Sequence, residues 1–107
     1  MNIFHLPDKL PAEELFESLW KNENLVIERI ISSGQKSPPG FWYRQEQHEW
    51  VILLQGEATL SYEDNTIVNL TPGDYLYIPA GVAHRVENTS QIPPCIWLAV
   101  HFKNLFN

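Results

Sequence analysis

Positive charge is scarce in this sequence. Seven Lys and Arg stand against thirteen Asp and Glu, for a formal net charge of −6 and a pI near 5.0. Such a chain repels a phosphate backbone on average, and no Lys/Arg cluster overrides the average, so nucleic acid is not an expected partner. Cysteine is reduced to Cys95 alone, which rules out an internal disulfide and suits a reducing compartment. No apolar run reaches the eighteen or so residues that would span a membrane. The N-terminus lacks the basic-then-apolar pattern of a secretory signal. These absences together predict a cytoplasmic protein, and 107 residues leave room for one core.

Apolar and aromatic residues are plentiful. The chain is 44% hydrophobic and carries four Trp, four Tyr and five Phe, a balance that belongs to a packed domain in which aromatics build strands and pocket walls. Near the N-terminus, Pro11 to Trp20 has helical features. Pro11 suits a first helical position, and Glu13, Glu14 and Glu17 suit the positive end of a helix dipole. Leu15, Phe16, Leu19 and Trp20 then form an apolar stripe. The expectation is a short α-helix within an N-terminal segment, residues 1–24, packed outside a barrel that occupies residues 25–107.

From Leu25 onward the period is that of strands. Leu25–Ile31 is rich in β-branched residues, and Ser32–Gly40 is a loop. Short runs follow at Phe41–Gln45, Trp50–Leu54, Ala58–Glu63, Thr66–Leu70, Tyr75–Ile78, Ala83–Glu87 and Cys95–Phe102. Turn residues separate them, among them Asp64-Asn65, which suits a two-residue hairpin, and Pro72-Gly73, which suits a type II turn. Eight short strands with tight turns predict an all-β antiparallel sandwich or barrel.

The stretch Gly73–Asn88, GDYLYIPAGVAHRVEN, fits without a gap a motif whose fixed positions are here Gly73, Pro79, Gly81, His84 and Asn88. It resembles the second motif of the cupin family. Glu49 to Gly56 matches the later part of the first cupin motif, while the two histidines of its earlier part are replaced, by Tyr43 and Gln45 in one register and by Trp42 and Arg44 in the other. The resemblance covers about residues 25 to 102 and implies a double-sheet antiparallel β-barrel of jelly-roll type, commonly a homodimer. The turn at Pro79 and Gly81 would aim His84 into the barrel mouth.

In metal-dependent cupins these motifs bind one divalent ion. What the resemblance carries over is Glu49 and His84, with Gln45 at the second histidine position and Tyr43 at the first. Iron, manganese, nickel, zinc and copper are all compatible with the ligands that remain, although amide and phenol oxygens are weaker donors than imidazole for such metals. His48 is a further candidate ligand. Strand parity turns it away from Glu49, and only a bulge before Trp50 would bring it inward.

Other residues divide between pocket and packing roles. Glu49 precedes the apolar run Trp50–Leu54, where an unpaired carboxylate would be costly. His101 shares parity with Trp97 and Ala99 and joins a pocket if that face looks inward. Tyr43 and Tyr77 line a pocket or simply pack. Arg29 shares a face with Leu25, Ile27 and Ile31, where it greets an anion from inside or reaches the rim. Two functions follow. One is a small metal-dependent cupin acting on a small molecule, with Glu49 and His84 holding the ion. The other is a metal-free ligand-binding or sensory module in which the same two residues form a hydrogen-bonded pair.

Overall fold

The computed structural model describes residues 1–103. Eight strands run in the order β1 (Leu15–Lys21), β2 (Leu25–Ser32), β3 (His48–Gln55), β4 (Ala58–Tyr62), β5 (Ile67–Leu70), β6 (Tyr75–Ile78), β7 (His84–Thr89) and β8 (Cys95–Phe102). They form two antiparallel sheets, one of five strands in the order β1-β2-β8-β3-β6 and one of three in the order β5-β4-β7. Between the sheets lie Val51, Leu53, Leu60, Leu70, Ile78, Trp97 and Ala99. Leu53 is fully buried, a placement that contributes about 2 kcal/mol for a side chain of its size.

The turns form where the sequence places them. The β4–β5 hairpin closes over three residues, Glu63 to Asn65, rather than the two expected: Tyr62 N–H donates to the Thr66 carbonyl at 2.9 Å, Asn65 N–H donates to the Tyr62 carbonyl at 2.9 Å, and Asn65 takes the left-handed position with φ 72°. Gly73 has φ 98°, the conformation its Pro72-Gly73 turn requires.

The N-terminal α-helix expected over Pro11–Trp20 is not there: among the described residues there is no helix. Leu15–Lys21 is instead the edge strand β1, paired with β2 from Leu15 opposite Ile31 to Lys21 opposite Val26. A ten-residue helix is marginal in water by itself, whereas β2 offers a full row of backbone donors and acceptors that need partners. The apolar pairs at 15–16 and 19–20 suit a helix stripe, but in a strand they fall on both faces. An irregularity between Ser18 and Trp20 accommodates the extra residue and sets Trp20 opposite Ile27.

Phe41–Gln45 also departs from expectation, since it is not a strand. Residues 33–47 form a strap along the free edge of β7. Tyr43 and His84 exchange two backbone hydrogen bonds, of 2.8 and 3.0 Å, and Ser37 N–H donates to the Val86 carbonyl at 2.9 Å. Arg85 ties the strap down, donating to the carbonyls of Ser37 and Pro38. The strap covers a strand edge and sets Tyr43 and Gln45 at the mouth between the sheets.

Candidate functional site

Register decides which residues look inward. In β3 and β8, Glu49 lies opposite His101, Val51 opposite Ala99 and Leu53 opposite Trp97. In β2, Glu28 lies opposite Ala99 and Ile30 opposite Trp97. Directly opposed residues share a face, so Glu28 and Ile30 join Glu49, Val51, Trp97 and His101 on the inner face of the large sheet. From the small sheet come Leu60, His84 and Val86, and from the strap Tyr43 and Gln45. Together they line an open cavity of ≈ 160 Å³ whose walls combine apolar and ionisable side chains.

The Pro79–Val82 turn aims His84. Gly81 has φ 83°, Val82 N–H donates to the Pro79 carbonyl at 3.2 Å, and Gly81 N–H donates to the Gln45 carbonyl at 2.8 Å. His84 starts β7 directly after it. Its Nδ1 lies 3.1 Å from the Val82 carbonyl, which can only accept, so Nδ1 carries the proton. In its neutral form the ring then presents an Nε2 lone pair, 4.0 Å from Glu49 Oε1. Both side chains are about nine-tenths buried, at 8% and 10% exposure. A carboxylate from one sheet and an imidazole from the other thus enter one cavity.

His101 completes the polar end. Its Nε2 donates to Glu28 Oε1 at 2.8 Å, and that bond raises its pKa above the ordinary 6.5, with Glu49 adding to the effect and burial opposing it. Glu49 is itself raised above 4.5, chiefly because burial penalises its charge; the nearby His101 and His84 rings and the Gln45 amide oppose the rise. In the interior, Trp97 Nε1 donates to Ser32 Oγ at 3.1 Å, and Ser32 Oγ donates to Glu14 at 2.6 Å. Glu28 and Glu14 are not evident from the sequence. Glu28 carried a usable signal, since its parity in β2 is that of Val26 and Ile30, opposite to Arg29.

Of the sequence candidates, Glu49, His84, Gln45, Tyr43 and His101 line this cavity. His48, Tyr77 and Arg29 do not. His48 and Tyr77 face the other side of the large sheet, where His48 Nδ1 takes a bond from Ala80 N–H at 3.1 Å and contacts the Tyr77 hydroxyl at 3.0 Å. The bulge needed to turn His48 inward is absent, because β3 stays in regular register with β8 from His48 to Leu53. Arg29 also lies on that outer face. It pairs with Glu17 at 2.5 Å and donates to the carbonyls of Ile3 and His5, which fastens the N-terminal stretch across the sheet.

The motif implies a divalent ion, and the donors do not fit a resident one. Among the described residues no three His, Cys, Asp or Glu side chains gather with the spacing of a metal site. Glu49 and His84 supply two donors, His101 Nε2 is engaged by Glu28, and the remaining motif positions hold an amide and a phenol. A catalytic zinc typically keeps three protein ligands.

A family model described as "Cupin domain" matches residues 28–101. A crystal structure from Ralstonia eutropha JMP134, described as a "putative mannose-6-phosphate isomerase", is 42% identical, with a TM-score of 0.91 and 97% of each chain covered. A cupin superfamily protein from Desulfitobacterium hafniense DCB-2 shares the fold at 17% identity and a TM-score of 0.75, over 92% of this chain and 84% of that one. A curated relative from Vibrio cholerae, named "Putative mannose-1-phosphate guanylyltransferase", is 33% identical over 78 residues, which is 72% of this chain and 16% of that protein. The chain thus spans about a sixth of that relative's length. With motif, barrel and family model in agreement, the chain belongs to the cupin family.

Proposed function

We propose that the protein binds a small molecule inside the barrel, with Glu49 and His84 as the recognising pair and without a resident metal. The carrying observation is the pair itself: a carboxylate and an imidazole from facing sheets, both about nine-tenths buried and 4.0 Å apart, in one cavity with apolar walls beside them. Gln45, Tyr43 and the Glu28–His101 pair border the same space and fix a ligand's orientation. The arrangement suits a ligand polar at one end and apolar at the other. The names of the 42% and 33% identical relatives point to mannose phosphates as ligands. The cavity supports that assignment poorly, because three carboxylates and no Lys or Arg line it.

The test is ligand-induced stabilisation. A library of small polar metabolites, including mannose 6-phosphate, is screened by thermal unfolding on the tag-free wild type, Glu49→Gln and His84→Ala. Metal content is measured on all three. A ligand present at 100 times its Kd stabilises by about 2.7 kcal/mol, so the wild type should show an upward shift that both variants lose. Stoichiometric metal that disappears in both variants would replace this reading with a metal centre. The absence of any shift that depends on Glu49 and His84 would remove it.

The protein is further read as a homodimer. The outer face of the large sheet carries Trp50, Ile52, Leu98 and Val100, all half-buried, beside exposed Trp20, Tyr75 and Tyr77. Arg29 and the N-terminal stretch it holds occupy the β2 side of this face, and a second copy of the chain is the partner that suits the apolar remainder.

A further inference from the structure

The chemistry of the cavity selects the kind of ligand, an inference that rests on the small-molecule reading above. His84 Nε2 belongs to a side chain 8% exposed, lines the cavity and has no hydrogen-bond partner among the described residues, since Glu49 Oε1 lies 4.0 Å away and is itself an acceptor. With the His84 ring neutral, two acceptors face each other without a donor between them. Because a hydrogen bond spans about 2.8 Å, a single donor atom can reach both across this gap. An ammonium nitrogen offers three N–H groups, enough for Glu49, His84 and one more acceptor such as the Gln45 amide oxygen. A hydroxyl offers one, and a carboxylate or phosphate ligand offers none when ionised.

Charge points the same way. Glu14, Glu28 and Glu49 line the cavity and no Lys or Arg does. Glu28 is paired with His101 and Glu14 accepts from the Ser32 hydroxyl, which leaves Glu49, 4.0 Å from His84, as the lining carboxylate without a short hydrogen bond from a charged or hydroxyl group. Ile30, Val51, Leu60, Ile78 and Trp97 supply the apolar walls of the cavity, and its ≈ 160 Å³ is close to the roughly 150 Å³ of an apolar cavity that holds benzene.

We propose that this pocket is a site for a small primary amine in its ammonium form, carrying a hydrocarbon body about the size of a benzene ring. The nitrogen lies between Glu49 and His84, and the ring packs toward Trp97.

The experiment uses three isosteric probes on the full chain, benzylamine, benzyl alcohol and benzoate, titrated by calorimetry at pH 7. The expected order is benzylamine tightest, benzyl alcohol at least tenfold weaker, and benzoate without binding. Glu49→Gln should weaken benzylamine at least tenfold and leave benzyl alcohol within about twofold. The ranking on the wild type stands whether or not the variant folds. Benzyl alcohol or benzoate binding as tightly as the amine overturns the ammonium assignment, and so does failure of the amine to bind. If the library screen still yields a ligand that depends on Glu49 and His84, only the ammonium inference falls. If it yields none, the pocket reading falls with it.

Discussion

Glu49 is a carboxylate placed where an apolar side chain would cost less. Burial raises its pKa, and the His101 and His84 rings only partly offset that. The folded chain therefore holds this proton more tightly than the unfolded chain does. As pH rises past 4.5 the unfolded state releases it first, and stability falls until the folded pKa is passed. His101 acts with the same sign over a higher window. Its bond to Glu28 raises its pKa, so the stabilisation is complete below 6.5 and is lost as pH climbs through the folded value. Glu87 and Asp64 are lowered by hydrogen bonds to Ser61 and Thr66 and act in the opposite sense, losing stability only as pH falls below their ordinary values of 4.5 and 3.8. Urea midpoints followed by circular dichroism should thus decline from pH 4.5 upward. Glu49→Gln should remove the first part of that decline and keep the part above pH 6.5. An unchanged slope in the variant would show that Glu49 is not the group responsible.

At the scale of the element, turns and edges decide how the site is assembled. Two glycines with left-handed backbones make the point by contrast. Gly81, φ 83°, aims His84, and a Cβ there would meet nothing within 4 Å. Gly56, φ 88°, follows β3, and a Cβ there would lie 2.8 Å from Ser90 Oγ and 2.9 Å from the Cα and Sγ of Cys95. Gly81→Ala should cost about 1–2 kcal/mol, the backbone penalty alone. Gly56→Ala should cost more, because fixed backbone must also yield. Equal unfolding midpoints for the two variants would contradict this account. Edges explain both departures from the expected elements. The free edge of β2 recruited Leu15–Lys21 as a strand, and the free edge of β7 recruited the strap at 33–47. In each case unmet backbone groups outweighed local preference.

At the scale of the whole molecule, the large sheet has two contrasting faces. The inner face builds the cavity, and the outer face presents aromatics to its surroundings. Tyr75 and Tyr77 on one edge strand are 65% and 52% exposed, and Trp20 on the opposite edge strand is 55% exposed. Light scattering coupled to size exclusion should give twice the 12.4 kDa chain mass. Tyr77→Arg should shift the population toward monomer by placing a charge on an apolar contact. A wild type that elutes as a monomer at high micromolar concentration would overturn the dimer. Among the described residues no helix is long and apolar enough to cross a membrane.

By itself the sequence determined the cupin barrel, the places of its turns and several of the residues that line its cavity. Turn chemistry at Asp64-Asn65, Pro72-Gly73 and Pro79–Gly81 is local, and so is the parity that separates Glu49 from His48, so both were legible from residues a few positions apart. Other features needed tertiary structure because they depend on partners distant in sequence. Leu15–Lys21 became a strand only because β2 lay beside it. Glu28 entered the site because it is held by His101, 73 residues further on. Arg29 left the site because Glu17 and the carbonyls of Ile3 and His5 held it outside. Local pattern specifies the faces of a strand, but which face closes over a cavity depends on how the sheets meet, and that is a contact between distant parts of the chain.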